Sequence, residues 1–556
     1  MPSSKRSRGI RDNVRTLNLR RNLSGIVQNR DESSLTPDQA VDVVNMHSTE
    51  EGNWSSDRVG YSVLNASGTA YESGAVIDGM SWWQDPSGSD HLMVAANGKL
   101  LEVNVSTGAA TTRDASAAYT VGNPVDFLSM YDRVYTVDGS IATPRYWDGS
   151  TAGDSAGWPI SDGTNTYTTP KYVETFQGRG VFMNFGGGTD SVGSTTWESH
   201  FALSDYGNPE SFTLPAAPTD GFLAEVGVRD GQVITGGKTI HNPATNQENL
   251  IIFKNRSTYQ VTGNSALIDD ADAFQVIRIN GNYGAINNRC IVEVGSDVLA
   301  FNRFGITSFT GSTNSGNIQP NPINSDLVKD TIATLNTTAE DQCWAIHLPQ
   351  RREVWFFMPT GSSTQCDTAL VFKYPSPGTN ETPKWSRRTA AGGYFLCSIG
   401  TQINSTFYIG TYTGFVGVMF NSSMYAGVQG IPWRYEYPYL ALGNEKQVKR
   451  IVSADSFWRI RTEQGITIET KWQYGGNNNN SVVTKYIGNL GAGVYNTSLY
   501  GVGVYTETAE VKLPYTVNGN GCLVKTVLSG TTNDSGPEFL GINLVTMIGT
   551  VSQHQN

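Results

Sequence analysis

The chain lacks several things that would have narrowed its function. It has no run of about 18 apolar residues, so no segment reads as a membrane-spanning helix. Cysteine is scarce, with only Cys290, Cys343, Cys366, Cys397 and Cys522, and no two stand as Cys-x-x-Cys. That odd, scattered set argues against a disulfide framework and for free, mostly buried thiols in a protein assembled in a reducing cytoplasm. The six histidines never occur as His-x-x-x-His, so no zinc site can be read, and nothing else in the sequence calls for a metal or cofactor. Charged residues make up only 16%, which excludes a solvated helical or disordered polymer. The basic N-terminus has no apolar core after it, so a secretory signal is not expected.

What the 556 residues do hold is glycine (60), tyrosine (25) and short apolar runs separated by polar turns, the composition of an all-β chain. The stretch 249–311 shows the unit most clearly. Leu250, Ile251, Ile252 and Phe253 precede the turn Lys254–Ser257, and Tyr259 and Val261 follow it. Val298, Leu299, Ala300 and Phe301 precede Asn302–Gly305, and Ile306 and Phe309 follow. Such hairpins recur at 91–104, 126–140, 343–362 and 406–423, and Asn97-Gly98 is a two-residue turn signal. A hairpin with one apolar face stays dry only by packing on another like it. Recurrence every ~40–50 residues predicts a β-propeller of roughly six or seven blades, with a plain antiparallel sandwich as the alternative. Arg58–Leu64 could close the ring beside 406–420.

Outside the repeats, Thr36, Pro37 and Gln39 form a capping-box pattern that predicts a short helix ending near Asn45–Ser48. Leu327, Val328, Ile332 and Leu335 predict a second, over 324–335. Long alternating strands after Lys446 predict a separate antiparallel β-sandwich. The domains expected are therefore a basic arm (1–34), a propeller with loop insertions (35–426) and a C-terminal sandwich (427–556). Net charge is −11, yet residues 1–30 carry Lys5, Arg6, Arg8, Arg11, Arg15, Arg20, Arg21 and Arg30 against Asp12. Ile10, Val14, Leu17, Leu19, Leu23 and Ile26 interleave those charges, so the arm is expected to dock on an acidic partner or on phosphates.

No catalytic constellation emerges. Gly153-Asp154-Ser155-Ala156-Gly157 matches Gly-x-Ser-x-Gly but lies in a polar stretch without the strand and helix of a nucleophile elbow. The phrase 231–239 is a near-miss to a phosphate-binding loop, with no helix pattern after Lys238. Asp269, Asp270 and Asp272 read as solvated loop acids rather than a glycosidase pair.

Two passages carry a resemblance. Leu35-x-Pro37-x-x-Ala40, then Asn45, Gly52, Arg58 and Gly60, resembles the start of the tail tubular protein B, tail nozzle or phage stabilisation proteins of short-tailed bacteriophages. The passage 339–388, with Trp344, Pro349–Arg352, Val354–Met358, Ala369–Tyr374 and a final Trp385-Ser386-Arg387-Arg388, resembles the same family. So does the turn SDYGNPESF (204–212), in which adjacent Ser204 and Asp205 break the spacing of a sialidase-type turn. The resemblance implies a non-enzymatic virion component: a homohexameric ring below the portal and its adaptor, bearing fibres or spikes, that forms and gates the DNA ejection channel. An acidic lumen would let DNA slide, because Lys/Arg lining binds phosphates more tightly with every contact. The loops 153–169, 185–196 and 311–324 are the expected gate or lateral contacts. The competing reading is a receptor-binding or glycan-degrading tail protein with a propeller fold.

Overall fold

The computed structural model describes residues 14–20 and 23–548, apart from 66–67, 229, 243–246, 296, 310–320, 324, 377–380, 423, 443–446, 461–463, 475–479, 488–508 and 534–535. The chain divides into two compact units. One comprises Val63–Ala369 and Phe395–Met419, the other Met1–Ser62, Leu370–Tyr394 and Phe420–Asn556.

The first unit is a β-propeller. Its inner strands are Ile77–Gln84, Asp126–Met130, Thr166–Phe176, Ile234–Asn242, Ile291–Val294, Trp344–Leu348 and Cys397–Ile403. Each contacts the next, and the last contacts the first, so seven blades close a ring. Blades 1, 2, 4 and 5 are four-stranded meanders, and blade 3 has a fifth strand, Ile160–Ser161. Blade 7 is completed by Gly60–Val63 beside Val416–Ser422, the closure expected from the sequence. Leu64 N–H donates to Val416 O at 2.8 Å, and Asn65 Oδ1 accepts from Val416 N at 2.8 Å.

The apolar runs are explained by burial on both faces of a blade. On Gln247–Lys254, Leu250 and Ile252 pack with Phe176, Val181 and Met183 of blade 3. Ile251 and Phe253 point the other way, onto Ile291, Val298 and Ala300 of blade 5. A strand buried on two sides needs no polar alternation, so it reads as an unbroken apolar run. The same logic joins blades 1 and 2 through Trp83, Met93, Val134 and Trp147, and blades 2 and 3 through Leu128, Tyr135, Val173 and Phe182. Trp355 and Phe407 meet edge-to-face at 6.1 Å between blades 6 and 7.

The second unit holds two sheet layers, antiparallel except where Asp42–Val44 runs parallel to Lys384–Thr389. One orders His47–Ser48, Trp54–Ser55, Glu538–Ile548, Lys449–Ile460 and Ala509–Tyr515, with Val14–Arg20 also paired along Glu538–Ile548. The other runs Lys384–Thr389, Asp42–Val44, Gln429–Glu436, Leu523–Thr532, Gln464–Gln473 and Ser481–Ile487. Aromatic rings fill the space between them: Trp433 lies 5.6 Å from Trp458, and Tyr435 5.4 Å from Phe539. The strands of 427–556 are thus not a sandwich of their own. Their core is completed by Trp54 and by strands from residues 42–44 and 384–389, so the expected boundaries at 34/35 and 426/427 do not delimit the compact units.

Three local expectations change. No helix follows Thr36. Gln39 Oε1 does accept from Thr36 N at 2.9 Å, but Gln39 N returns to Thr36 O at 3.0 Å, closing a turn, and Asp42–Val44 enters a sheet. Ladder bonds to Gln429–Glu436 and burial of Val43 outweigh a weak local helix signal. The helix expected over 324–335 is present but short and split, a 3-10 turn of helix at Ser325–Val328 running into an α-helix at Lys329–Ile332, with Val328 and Ile332 buried as expected. The polar stretch 153–169 is no loose insertion: it holds Ile160–Ser161 and the start of Thr166–Phe176, with Ile160 and Tyr167 in the core. Most of 311–324 lies outside the described residues.

Candidate functional site

Residues of the two resemblance-bearing passages meet in the second unit. Val44 bridges Arg387 in parallel, and the Arg387 guanidinium donates two bonds to the Asp42 carboxylate, at 2.7 and 2.6 Å. Asp42 raises the Arg387 pKa against the opposing effect of burial. Beside them Asn45 sits at φ +54°, a conformation asparagine tolerates better than most residues. Its side chain accepts from Thr389 N at 2.9 Å and donates to Pro432 O at 2.7 Å, while the buried Tyr425 hydroxyl donates to its Oδ1 at 3.2 Å. Gly25 lies against the backbone of Trp385, whose carbonyl accepts from Ile26 N at 2.9 Å; a Cβ on Gly25 would stand 2.4 Å from that oxygen. Nearby, the buried Lys525 joins Glu32 at 2.8 Å and also pairs with Glu436. The N-terminal segment after residue 22 is therefore fixed to strands from two distant parts of the sequence.

Of the arm residues singled out by charge, Lys5, Arg6, Arg8, Arg11 and Arg21 lie outside the described residues. Arg15 is exposed on Val14–Arg20, opposite Thr546, and Arg20 ends that strand opposite Gly541. The interleaved apolar residues separate: Leu23 and Ile26 are core, whereas Val14 is 44% exposed.

The propeller hub gathers ionisable groups that no local spacing announced. Lys238, on the inner strand of blade 4, donates to Glu174 on that of blade 3 at 2.8 Å. Glu174 raises the Lys238 pKa, and Glu293 and Asp126 add to the effect. Burial raises Glu293, with Lys238 opposing. Asp126 accepts from Val173 N at 3.1 Å and from Asn288 Nδ2 at 2.6 Å, yet burial pushes its pKa up to about 6. Asp78 is 4% exposed, and burial raises it to about 7. Lys238 thus stands among three carboxyls, those of Glu174, Glu293 and Asp126. Each comes from a different blade, so no motif search finds them.

The motif candidates do not assemble into chemistry. Ser155 is buried with its hydroxyl turned to Ala156 O at 3.4 Å, whereas a nucleophile elbow exposes its hydroxyl. Gly231–Thr239 leads into a strand, and its lysine is the one held by Glu174. Asp269 and Asp272 are exposed around a turn. Among the described residues, no three His, Cys, Asp or Glu side chains are placed to hold a metal ion, and no helix is long and apolar enough to cross a membrane. All five cysteines are free thiols and buried.

No family model and no curated protein matches the chain. Solved structures similar to it include YCF48 from Cyanidioschyzon merolae, at 10% identity and TM-score 0.37, covering 63% of this chain and 97% of that one. The Neurospora crassa Pan2 WD40 domain aligns at 7% identity and TM-score 0.36, covering 65% and 95%. An exo-beta-1,3-galactanase from Phanerochaete chrysosporium aligns at 10% identity and TM-score 0.25, covering 85% and 100%. Likenesses this distant assign no activity.

Proposed function

We propose that the chain is a structural subunit of a short-tailed phage virion: the nozzle, or tail tubular ring, below the portal and its adaptor. In this reading it is not an enzyme and takes no cofactor. Six copies surround the DNA ejection channel, fibres or spikes attach at the side, and the genome passes without sequence-specific binding.

The observation that carries the reading is the junction of Asp42 with Arg387 and of Asn45 with Thr389. Those residues belong to the two passages that resemble the nozzle family, and they are clasped to one another, as the parts of one inherited framework would be. The charge distribution supports it as well. At −11, six copies carry a strongly negative field that repels phosphate and leaves DNA free to move. The basic arm, including Arg15 and Arg20 on the strand along Glu538–Ile548, supplies the contrasting charge for docking the adaptor.

Negative-stain microscopy of the purified full chain, with light scattering, tests this. The expected result is a six-fold ring with a central opening. A monomer or trimer that cleaves bacterial glycans would replace it with the tailspike reading.

A further inference from the structure

At the N-terminal ends of the propeller's inner strands, two adjoining hollows of about 310 and 380 Å³ share Lys171, Tyr172, Asn184, Val233, Ile286 and Glu340. Their size falls within the range of about 300–1,000 Å³ typical of small-molecule sites. The first hollow is the basic one: it carries Lys171, Arg256 and Arg303 against Glu340, whereas the second is lined by Asp126, Asp138, Glu198, Glu340 and Asp341 with Lys171 and Arg289. Lys171 is exposed, its ammonium 5.5 Å from the Tyr172 ring centroid. Arg256 is exposed at the tip of the blade 4 hairpin. Among the described residues neither cation is ion-paired, whereas Arg303 on the same rim is bound by Glu340, at 2.6 Å from Nε, and Arg289 by the carbonyls of Asp341 and Ser398. The rim's other cations are thus already satisfied, and these two remain available to a ligand.

The floor adds an independent observation. Thr235 lines the first hollow and is 7% exposed, yet its Oγ1 has no hydrogen-bond partner. An orphaned buried hydroxyl is costly unless something fills the space and bonds to it. The carboxamides of Asn255 and Asn282 stand at the edge, and Phe304, 79% exposed, presents a ring on the blade 5 hairpin. Paired amides, a hydroxyl and an exposed aromatic face suit a polyhydroxylated ring, whose C–H face packs on the aromatic and whose hydroxyls take the amides. Two unpaired cations add a demand for negative charge.

We propose that the first hollow binds an acidic saccharide, with the carboxylate of a uronic-acid-type sugar between Lys171 and Arg256, its hydroxyls on Thr235 and the asparagines, and its ring against Phe304. The lining comes from a single chain, so the test does not depend on the ring.

The experiment is calorimetric titration of the full chain with trigalacturonate, maltotriose and inorganic phosphate. Trigalacturonate is expected to bind, more weakly as salt is raised, with maltotriose at least tenfold weaker. Lys171→Gln with Arg256→Gln should lower trigalacturonate affinity at least tenfold, and Phe304→Ala several-fold. All three residues are exposed, so the variants should keep the wild-type melting temperature, which is checked alongside. Equal binding of the neutral and acidic sugars, phosphate binding as tightly as the sugar, unchanged affinity in the double variant, or no binding of trigalacturonate would each overturn the proposal.

Discussion

Asp78 should make the propeller less stable as the solution becomes more alkaline, and a single substitution isolates the effect. Asp78 lies on the inner strand of blade 1, 4% exposed. Its Oδ1 accepts from Gly122 N at 3.0 Å, while Oδ2 is buried with no partner. Burial raises its pKa from 3.8 to about 7, against the pull of Gly122 N–H and Arg289, with Asp138 adding to the rise. A carboxyl raised on folding contributes stability that is complete below its unfolded pKa and is lost as pH climbs through the folded value. The window is therefore pH 4 to 7. At about 1.4 kcal/mol per pKa unit, the shift amounts to about 4 kcal/mol between pH 4 and pH 8, and about 3 kcal/mol of it falls above pH 5. Asp78→Asn keeps the acceptor for Gly122 and removes the charge. Urea unfolding of both proteins at pH 5 and pH 8 should show the variant gaining about 3 kcal/mol on the wild type as pH rises. Parallel behaviour at the two pH values would refute the argument that a buried, half-satisfied carboxyl is held protonated there.

Other predictions are more local. Asp42→Ala strips the Arg387 guanidinium of its bidentate partner and should cost about 2–3 kcal/mol in thermal unfolding, with Asp42→Glu recovering part of it. Gly284→Ala would place a Cβ 1.8 Å from the carbonyl oxygen of Lys254 and should prevent soluble expression. Gly295→Ala, at φ +65° in open space, should cost only about 1 kcal/mol by the same assay. Because every thiol is buried, a thiol reagent should label the native chain slowly and titrate five groups only in denaturant.

The hairpins were legible because their signals are local. Asn97 and Gly98 adopt φ values of +51° and +74°, the paired left-handed conformation a two-residue hairpin turn needs. The continuous run Leu250–Phe253 was legible as a strand, but its allegiance to two neighbouring blades depends on a ring no local window contains. The 36–48 segment misled for a related reason. Its capping bond is real, yet the β-branched Val43 and Val44 gain more from a sheet whose partner strand begins at Gln429. The hub of Asp126, Glu174, Lys238 and Glu293 was invisible because adjacency around a ring is not adjacency in sequence. The compact unit containing the C-terminus was mistaken for a separate sandwich because part of its core is supplied by residues 42–55 and 384–389.

The pairing of Leu64 with Val416 also sets a timetable. Roughly 350 residues must be translated after the first partner before the second exists, which at ~5–20 residues per second is on the order of half a minute. Throughout that interval the early blades leave the ribosome with an unsealed seam. The nascent chain's vulnerability to proteases should therefore end abruptly once the segment around Val416 is free of the exit tunnel, not decline gradually as each blade is added.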